Sequence, residues 1–154
     1  MKFDAAALAI ALPLACAVAT ARASDPIPAE LVGIWATDAS TFRGDALVSG
    51  AALYIAANGR AEQVGGPPPI GVKFEAVFDA GAGTLTIVRL FNPTAHGWQA
   101  VPARPGSALA FDPRTLSLSA ADGSSVLHRR VSGLSPAVLK MAGLDCPPLE
   151  CPNP

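Results

Sequence analysis

A strict alternation of side chains over ten residues restricts the fold of this chain more than any other feature. From position 70 onward, apolar residues occupy every second place: Ile70, Val72, Phe74, Ala76 and Phe78. The places between them hold Gly71, Lys73, Glu75, Val77 and Asp79. Successive side chains of a β-strand point to opposite faces, so a period of two indicates one buried face and one wet face. The sequence therefore predicts a long strand with the apolar set on its buried side.

Turn signals elsewhere predict more strands and one helix. Strong turns stand at Asn58-Gly59, at Asp122-Gly123 and in the glycine-rich 80–83 segment, and alternating or β-branched stretches lie between them. Residues 84–91 should pair with the long strand and end at Asn92-Pro93, before a short strand at 98–101. Ser135 should cap a two-turn helix that ends at Gly143. About eight strands spaced by roughly 8–12 residues predict an all-β fold, either an antiparallel up-and-down barrel or a sandwich, with a short C-terminal helix.

Residues 1–23 have the order of a secretory signal peptide. Lys2 supplies a positive start, an apolar run follows, and Ala21-Arg22-Ala23 places small residues where a signal peptidase requires them. The run of about 16 residues is shorter than the roughly 20 that a membrane-spanning helix needs. We expect cleavage between Ala23 and Ser24, which leaves residues 24–154 as a single exported domain in the periplasm or outside the cell.

Two other interpretations of this segment remain open. One is a buried N-terminal helix. The other is a lipid anchor at Cys16, although Pro13 stands where a bacterial lipobox has leucine. No other stretch approaches membrane-spanning length, so we expect no membrane span in the mature chain.

The leader also decides which cysteines can pair. Cys16 leaves with it, so that Cys146 and Cys151 remain, and such a pair should close in an oxidising compartment. The entropic model gives roughly 2 kcal/mol for so short a loop. A zinc site would need two more ligands nearby, and His96 and His128 are far away in the sequence. We therefore predict a structural disulfide, no metal and no cofactor.

Gly33-Ile34-Trp35, at the first predicted strand, resembles the G-x-W motif of lipocalins and related calycin barrels. The resemblance implies an eight-stranded meander in which the tryptophan closes the base and a cation from the last strand packs across its ring. Alternation puts Arg129 on the same face as Leu127 and Val131, so the implied partner of Trp35 is Arg129. The chain shows no second lipocalin motif. The alternative is that Trp35 is simply a core aromatic of an edge strand.

No recognisable set of catalytic residues is present. Ser135 is explained as a helix cap, since a nucleophile elbow would need a glycine two places later. The chain carries 11 basic and 12 acidic residues, and it becomes slightly more acidic once Lys2, Arg22 and Asp4 leave with the leader. Arg129-Arg130 is the only basic block that then survives. We therefore expect neither an enzyme nor a nucleic-acid-binding protein.

Two functions are consistent with these patterns. The first is an exported, non-enzymatic β-barrel that binds a small apolar ligand. The second is a secreted or envelope protein that docks another protein, or inhibits it, through the loops at 65–71 and 92–98. We expect Trp98 to separate the two, because a buried Trp98 beside a cavity favours ligand binding and an exposed Trp98 favours a protein partner.

The intact mass of the exported protein tests the interpretation of the leader. We expect a chain that begins at Ser24 and has lost two hydrogens through the bond between Cys146 and Cys151. A diacylglyceryl mass on a chain that begins at Cys16 would instead identify a tethered lipoprotein.

Overall fold

The computed structural model describes residues 25–37, 42–43, 46–104 and 107–144. Ala23, Ser24, Cys16, Cys146 and Cys151 lie outside these ranges. The described residues form eleven strands and one helix: β1 (Gly33–Ala36), β2 (Phe42–Arg43), β3 (Ala46–Leu47), β4 (Gly50–Ile55), β5 (Arg60–Gly66), β6 (Ile70–Asp79), β7 (Thr84–Thr94), β8 (Gly97–Pro102), β9 (Ala108–Asp112), β10 (Ser117–Ala120), β11 (Val126–Arg130) and α1 (Pro136–Met141).

Eight of these strands close into an antiparallel barrel. In chain order β1, β4, β5, β6, β7, β9, β10 and β11 each pair with the next, and β11 pairs back with β1. Strands β2 and β3 form a separate short hairpin, and β8 pairs with the second half of β7. The predicted all-β class with a short C-terminal helix is therefore confirmed, and the architecture is the up-and-down barrel rather than the sandwich.

The two ends of the barrel differ, and we name them by their residues. The base is the end at Gly33 and Arg130, and the mouth is the end at Gly66 and Ile70. The segment before β1 is fixed at the base, where Asp25 forms a bridge with Phe78 and accepts a hydrogen bond from the amide of Ala80. The first strand thus begins from an anchored position.

Large apolar side chains fill the interior from the base upward. The cluster consists of Leu31, Trp35, Leu53, Ile55, Ala61, Phe74, Ala76, Phe78, Leu85, Leu118 and Leu127. Trp35 is fully buried, donates from Nε1 to the carbonyl of Leu31 at 3.0 Å, and meets Phe111 edge to face at a centroid distance of 6.1 Å. The barrel therefore has a packed core at its base.

The predicted long strand is present as β6, but its apolar face is only partly buried. Phe74, Ala76 and Phe78 are buried, whereas Ile70 is 64% exposed and Val72 is 37% exposed. The expectation that all five alternating residues are buried was therefore wrong for the first two. These two residues lie at the mouth, where the interior opens to solvent.

A β-bulge in β7 keeps its apolar residues inside. Glu75 pairs with Arg89 and Ala76 with Ile87, so Val88 is an extra residue on the β7 side. Because of this extra residue, Ile87 and Leu90 both pack against the interior cluster although they are three positions apart. The bulge resets the inside–outside alternation halfway along the strand.

The helix α1 packs on the outside of the barrel. Ser135 caps it, as predicted, by accepting a hydrogen bond from the amide of Val138, and Leu139 is buried. Its partners form a second apolar cluster: Ala52, Tyr54, Val64, Leu134, Leu139, Ala142 and Leu144. At Gly71 the helix end comes so close that a Cβ atom would lie 2.5 Å from the carbonyl oxygen of Ala142. Glycine is required there.

Tyr54, the chain's single tyrosine, fixes the connection to this helix. Its hydroxyl oxygen accepts a hydrogen bond of 2.7 Å from the buried amide of Leu134. Burial raises the pKa of the Tyr54 hydroxyl, and the negative charge of Glu62 adds to the rise, while the hydrogen bond from Leu134 acts in the opposite direction. Tyr54 is therefore held neutral between β4 and the start of the helical segment.

Because Tyr54 is the only tyrosine, its ultraviolet absorbance reports this site alone. We expect a higher titration midpoint in the folded protein than in urea. A raised folded-state pKa means that the contribution to stability is full below about pH 10, the unfolded pKa, and is lost as pH rises through the folded pKa. Tyr54→Phe should lack this loss but be less stable near neutral pH by about 1–3 kcal/mol, since the amide of Leu134 loses its acceptor. Equal midpoints in the two states would contradict the assignment.

Candidate functional site

The base of the barrel is closed by a cation above an indole. Trp35 of β1 and Arg129 of β11 are cross-strand partners, and the guanidinium carbon lies 5.8 Å from the Trp35 ring centroid. Arg129 also donates from Nη2 to the carbonyl of Val32 at 2.8 Å and from Nη1 to the carbonyl of Glu30. The structure thus brings together the two residues implied by the G-x-W resemblance.

Gly33 makes room for this arrangement. Its φ of +146° lies in a region that side chains rarely adopt, and a Cβ atom would be 3.1 Å from Nη2 of Arg129. The first residue of the G-x-W motif is therefore explained by the approach of the guanidinium, and the third by the ring beneath it.

A depression of about 540 Å³ lies beside this closure on the outer surface of the base. It is lined by Val32, Gly33, Ile34, Ala56, Ala57, Arg129, Arg130 and Val131. Two of Arg129's donors are already engaged with backbone carbonyls. This concavity is therefore built around a structural contact, and no residue of the interior cluster lines it.

The mouth offers a different surface, made of apolar side chains that face inward. The backbone of Gly71 lies against α1 on the outside of the barrel, so its neighbours Ile70 and Val72 point to the interior side. Gln63 is the cross-strand partner of Val72 and is also exposed. Asn92, across from Gln99 on β8, is exposed at the same end.

Small residues occupy the inward positions of three strands at the mouth. On β4, β5 and β10 the mouth-end positions of the inward face are Ala51, Gly65 and Ala120. Lower down, the same faces of β4 and β10 carry Leu53, Ile55 and Leu118 of the interior cluster, whereas β5 carries Ala61. Small side chains thus share this end of the interior face with the exposed Ile70 and Val72. Apolar side chains beside a few polar groups are the lining that small-molecule sites use.

Trp98 is neither buried beside a cavity nor fully exposed, the two environments that we expected to separate ligand binding from protein binding. Its side chain is half-buried on the outer face of the barrel, against the cluster under α1. The ammonium of Lys73 lies 4.8 Å from the Trp98 ring centroid and 3.5 Å from Oε1 of Glu62, a carboxylate that is itself buried. Trp98 therefore neither lines the interior nor stands free, and it does not decide between the two functions.

The two histidines singled out in the sequence lie on different elements. His96 is exposed in the turn between β7 and β8, and His128 is half-buried on β11. Sequence reasoning missed Gln63 and Asn92 as rim residues, because neither belongs to an alternating apolar run that would have indicated its face.

Comparisons with family models, with curated proteins and with solved structures find no match to this chain. Within the described ranges, no helix has the length and apolar character to cross a membrane. The same residues include no group of three or more His, Cys, Asp or Glu side chains placed to hold a metal ion. The geometry of the mouth and of the base is thus the basis for an assignment of function.

Replacing Arg129 tests how much the base closure contributes to stability. We expect Arg129→Ala to lower the free energy of unfolding by roughly 1–2 kcal/mol, because both the ring contact and the bonds to the carbonyls of Glu30 and Val32 are lost. Urea denaturation followed by tryptophan fluorescence measures this.

Arg89→Ala is the matched control, since Arg89 forms an exposed ion pair with Glu75 at 2.9 Å. Such a pair is worth less than about 1 kcal/mol. If the two variants lose equal stability, the contact over Trp35 has no special role.

Proposed function

We propose that this chain is an exported, non-enzymatic β-barrel protein that binds a small, largely apolar molecule at the mouth of the barrel. The observation that carries the proposal is the change in exposure along one face of β6. Phe74 and Phe78 are buried in the core, whereas Ile70 and Val72, on the same face, are open to solvent at the rim. A ligand that covered these two side chains would complete the apolar face.

The chemistry of the rim indicates what such a ligand looks like. Removing Ile70 and Val72 from water would contribute on the order of 2 kcal/mol. Gln63 and Asn92 supply amide donors and acceptors beside them. The four side chains carry no charge. An apolar body with one uncharged hydrogen-bonding group fits this surface better than an ion does.

We also propose that the protein works outside the cytoplasm. The leader, residues 1–23, would direct the chain to the periplasm or the extracellular space. In that oxidising environment Cys146 and Cys151 would form their disulfide. Export suits a carrier of sparingly soluble molecules, since such molecules need a protein to cross an aqueous compartment.

Titration with the neutral fluorescent probe N-phenylnaphthylamine tests the mouth directly. We expect saturable binding to the wild-type protein and a dissociation constant about tenfold higher for the double variant Ile70→Ser, Val72→Ser, which corresponds to about 1.4 kcal/mol. Ile70 is largely exposed and Val72 is 37% exposed, so the variant should lose only about 1 kcal/mol of stability in urea unfolding.

Val131→Ser is the control for exposed apolar surface in general. Val131 is fully exposed and lies at the base, in the wall of the depression there. Its replacement should leave the affinity unchanged. Absence of probe binding, or equal weakening by Val131→Ser, would refute a ligand site at the mouth.

A further inference from the structure

Strand β8 ends the strand order and has one hydrogen-bonded neighbour, β7. All other strands of the large sheet pair on both sides. Gln99, Ala100 and Pro102 are exposed, and Trp98 and Val101 are half-buried. Within the part of the chain that the structure describes, one edge of β8 therefore has no strand beside it.

Two prolines show which backbone groups face this open edge. Pro93 is the cross-strand partner of Trp98, and Pro102 is the partner of Arg89. Proline has no N–H, so both pairs fit the positions of an antiparallel ladder that exchange no hydrogen bonds. The exchanging pairs then alternate with them, and on β8 these are Gly97, Gln99 and Val101.

The residues in between direct their backbone groups away from β7. Trp98 and Ala100 each present one N–H and one C=O to the open edge, and Pro102 presents a C=O. Native proteins protect such edges with charged side chains, with proline, with β-bulges, or by covering them with a helix or loop. Strand β8 has no charged residue, and its proline is the last residue. The stretch from Trp98 to Ala100, with two donors and two acceptors directed outward, can therefore serve as a template for another strand.

We propose that the open edge of β8 pairs with the same edge of a second copy of this chain, in antiparallel orientation, with Gln99 opposite the partner's Gln99. In this register Trp98 exchanges hydrogen bonds with the partner's Ala100, and Ala100 exchanges them with the partner's Trp98. Four backbone hydrogen bonds form around a two-fold axis. The result is one sheet that continues from β7 through both copies of β8.

The sequence of β8 favours its own copy as the partner, in this register. An antiparallel arrangement centred on Ala100 would set Trp98 against the partner's Pro102, which lacks a donor. The strand is uncharged from Gly97 to Pro102, so no like charges oppose each other when it pairs with itself. A single strand pair is smaller than a standard protein interface, so the dimer is weak and forms at high protein concentration.

Sedimentation velocity over a concentration series up to the millimolar range tests the pairing. We expect the wild-type protein to shift from monomer to dimer. Gln99→Lys and Gln99→Glu each place like charges across the two-fold axis, at the closely spaced pair, and each should raise the dissociation constant about fivefold. An equimolar mixture of the two variants places opposite charges there and should restore the dimer at the wild-type concentration or below it.

Gln63→Lys and Gln63→Glu serve as controls. Gln63 is an exposed glutamine of the inner strand β5, away from the open edge. Neither variant should change the dissociation constant of the dimer, and mixing them should have no effect. A wild-type protein that stays monomeric throughout the series overturns the proposal, and so does a Gln99 mixture that fails to recover.

Discussion

A strand of only four residues, β1, closes the barrel, and the remaining structure depends on its being held in place. It pairs with β4 on one edge and with β11 on the other, so both neighbours would become open edges without it. Four residues provide few ladder bonds. The added stability comes from Trp35, which is buried in the core, and from Arg129, which lies over its ring and binds the carbonyls just before the strand.

The sequence was most informative where local chemistry decides the structure. Alternation and turn signals predicted an all-β chain, and a capping serine with proline after it predicted the helix. Alternation also selected Arg129 rather than Arg130 for the face of Trp35, the face on which the structure places it. These features depend on residues that are near in the chain or on a fixed period, so one sequence is enough to see them.

What the sequence could not supply depends on contacts between distant strands. The prediction that Asn92-Pro93 ends a strand was wrong, since β7 continues to Thr94 with Pro93 at a position where no N–H is needed. The bulge at Val88 has no local signal, because it is defined by the register with β6. The exposure of Ile70 follows from where the barrel ends. The rim of the candidate site was therefore beyond reach from composition and period.

The pairing of β1 with β11 has a consequence for how the chain folds. Val32 and Arg129, which hold the closure together, are 97 residues apart. Neighbouring strands from β4 to β7 form through short turns, whereas the closing ladder must bring the two ends of the domain together and bears a larger loss of chain entropy. During synthesis, β1 is made first and its last partner is made near the end. The first strand therefore cannot pair with β11, and Trp35 cannot make its contact with Arg129, until almost all strands of the domain have been synthesised.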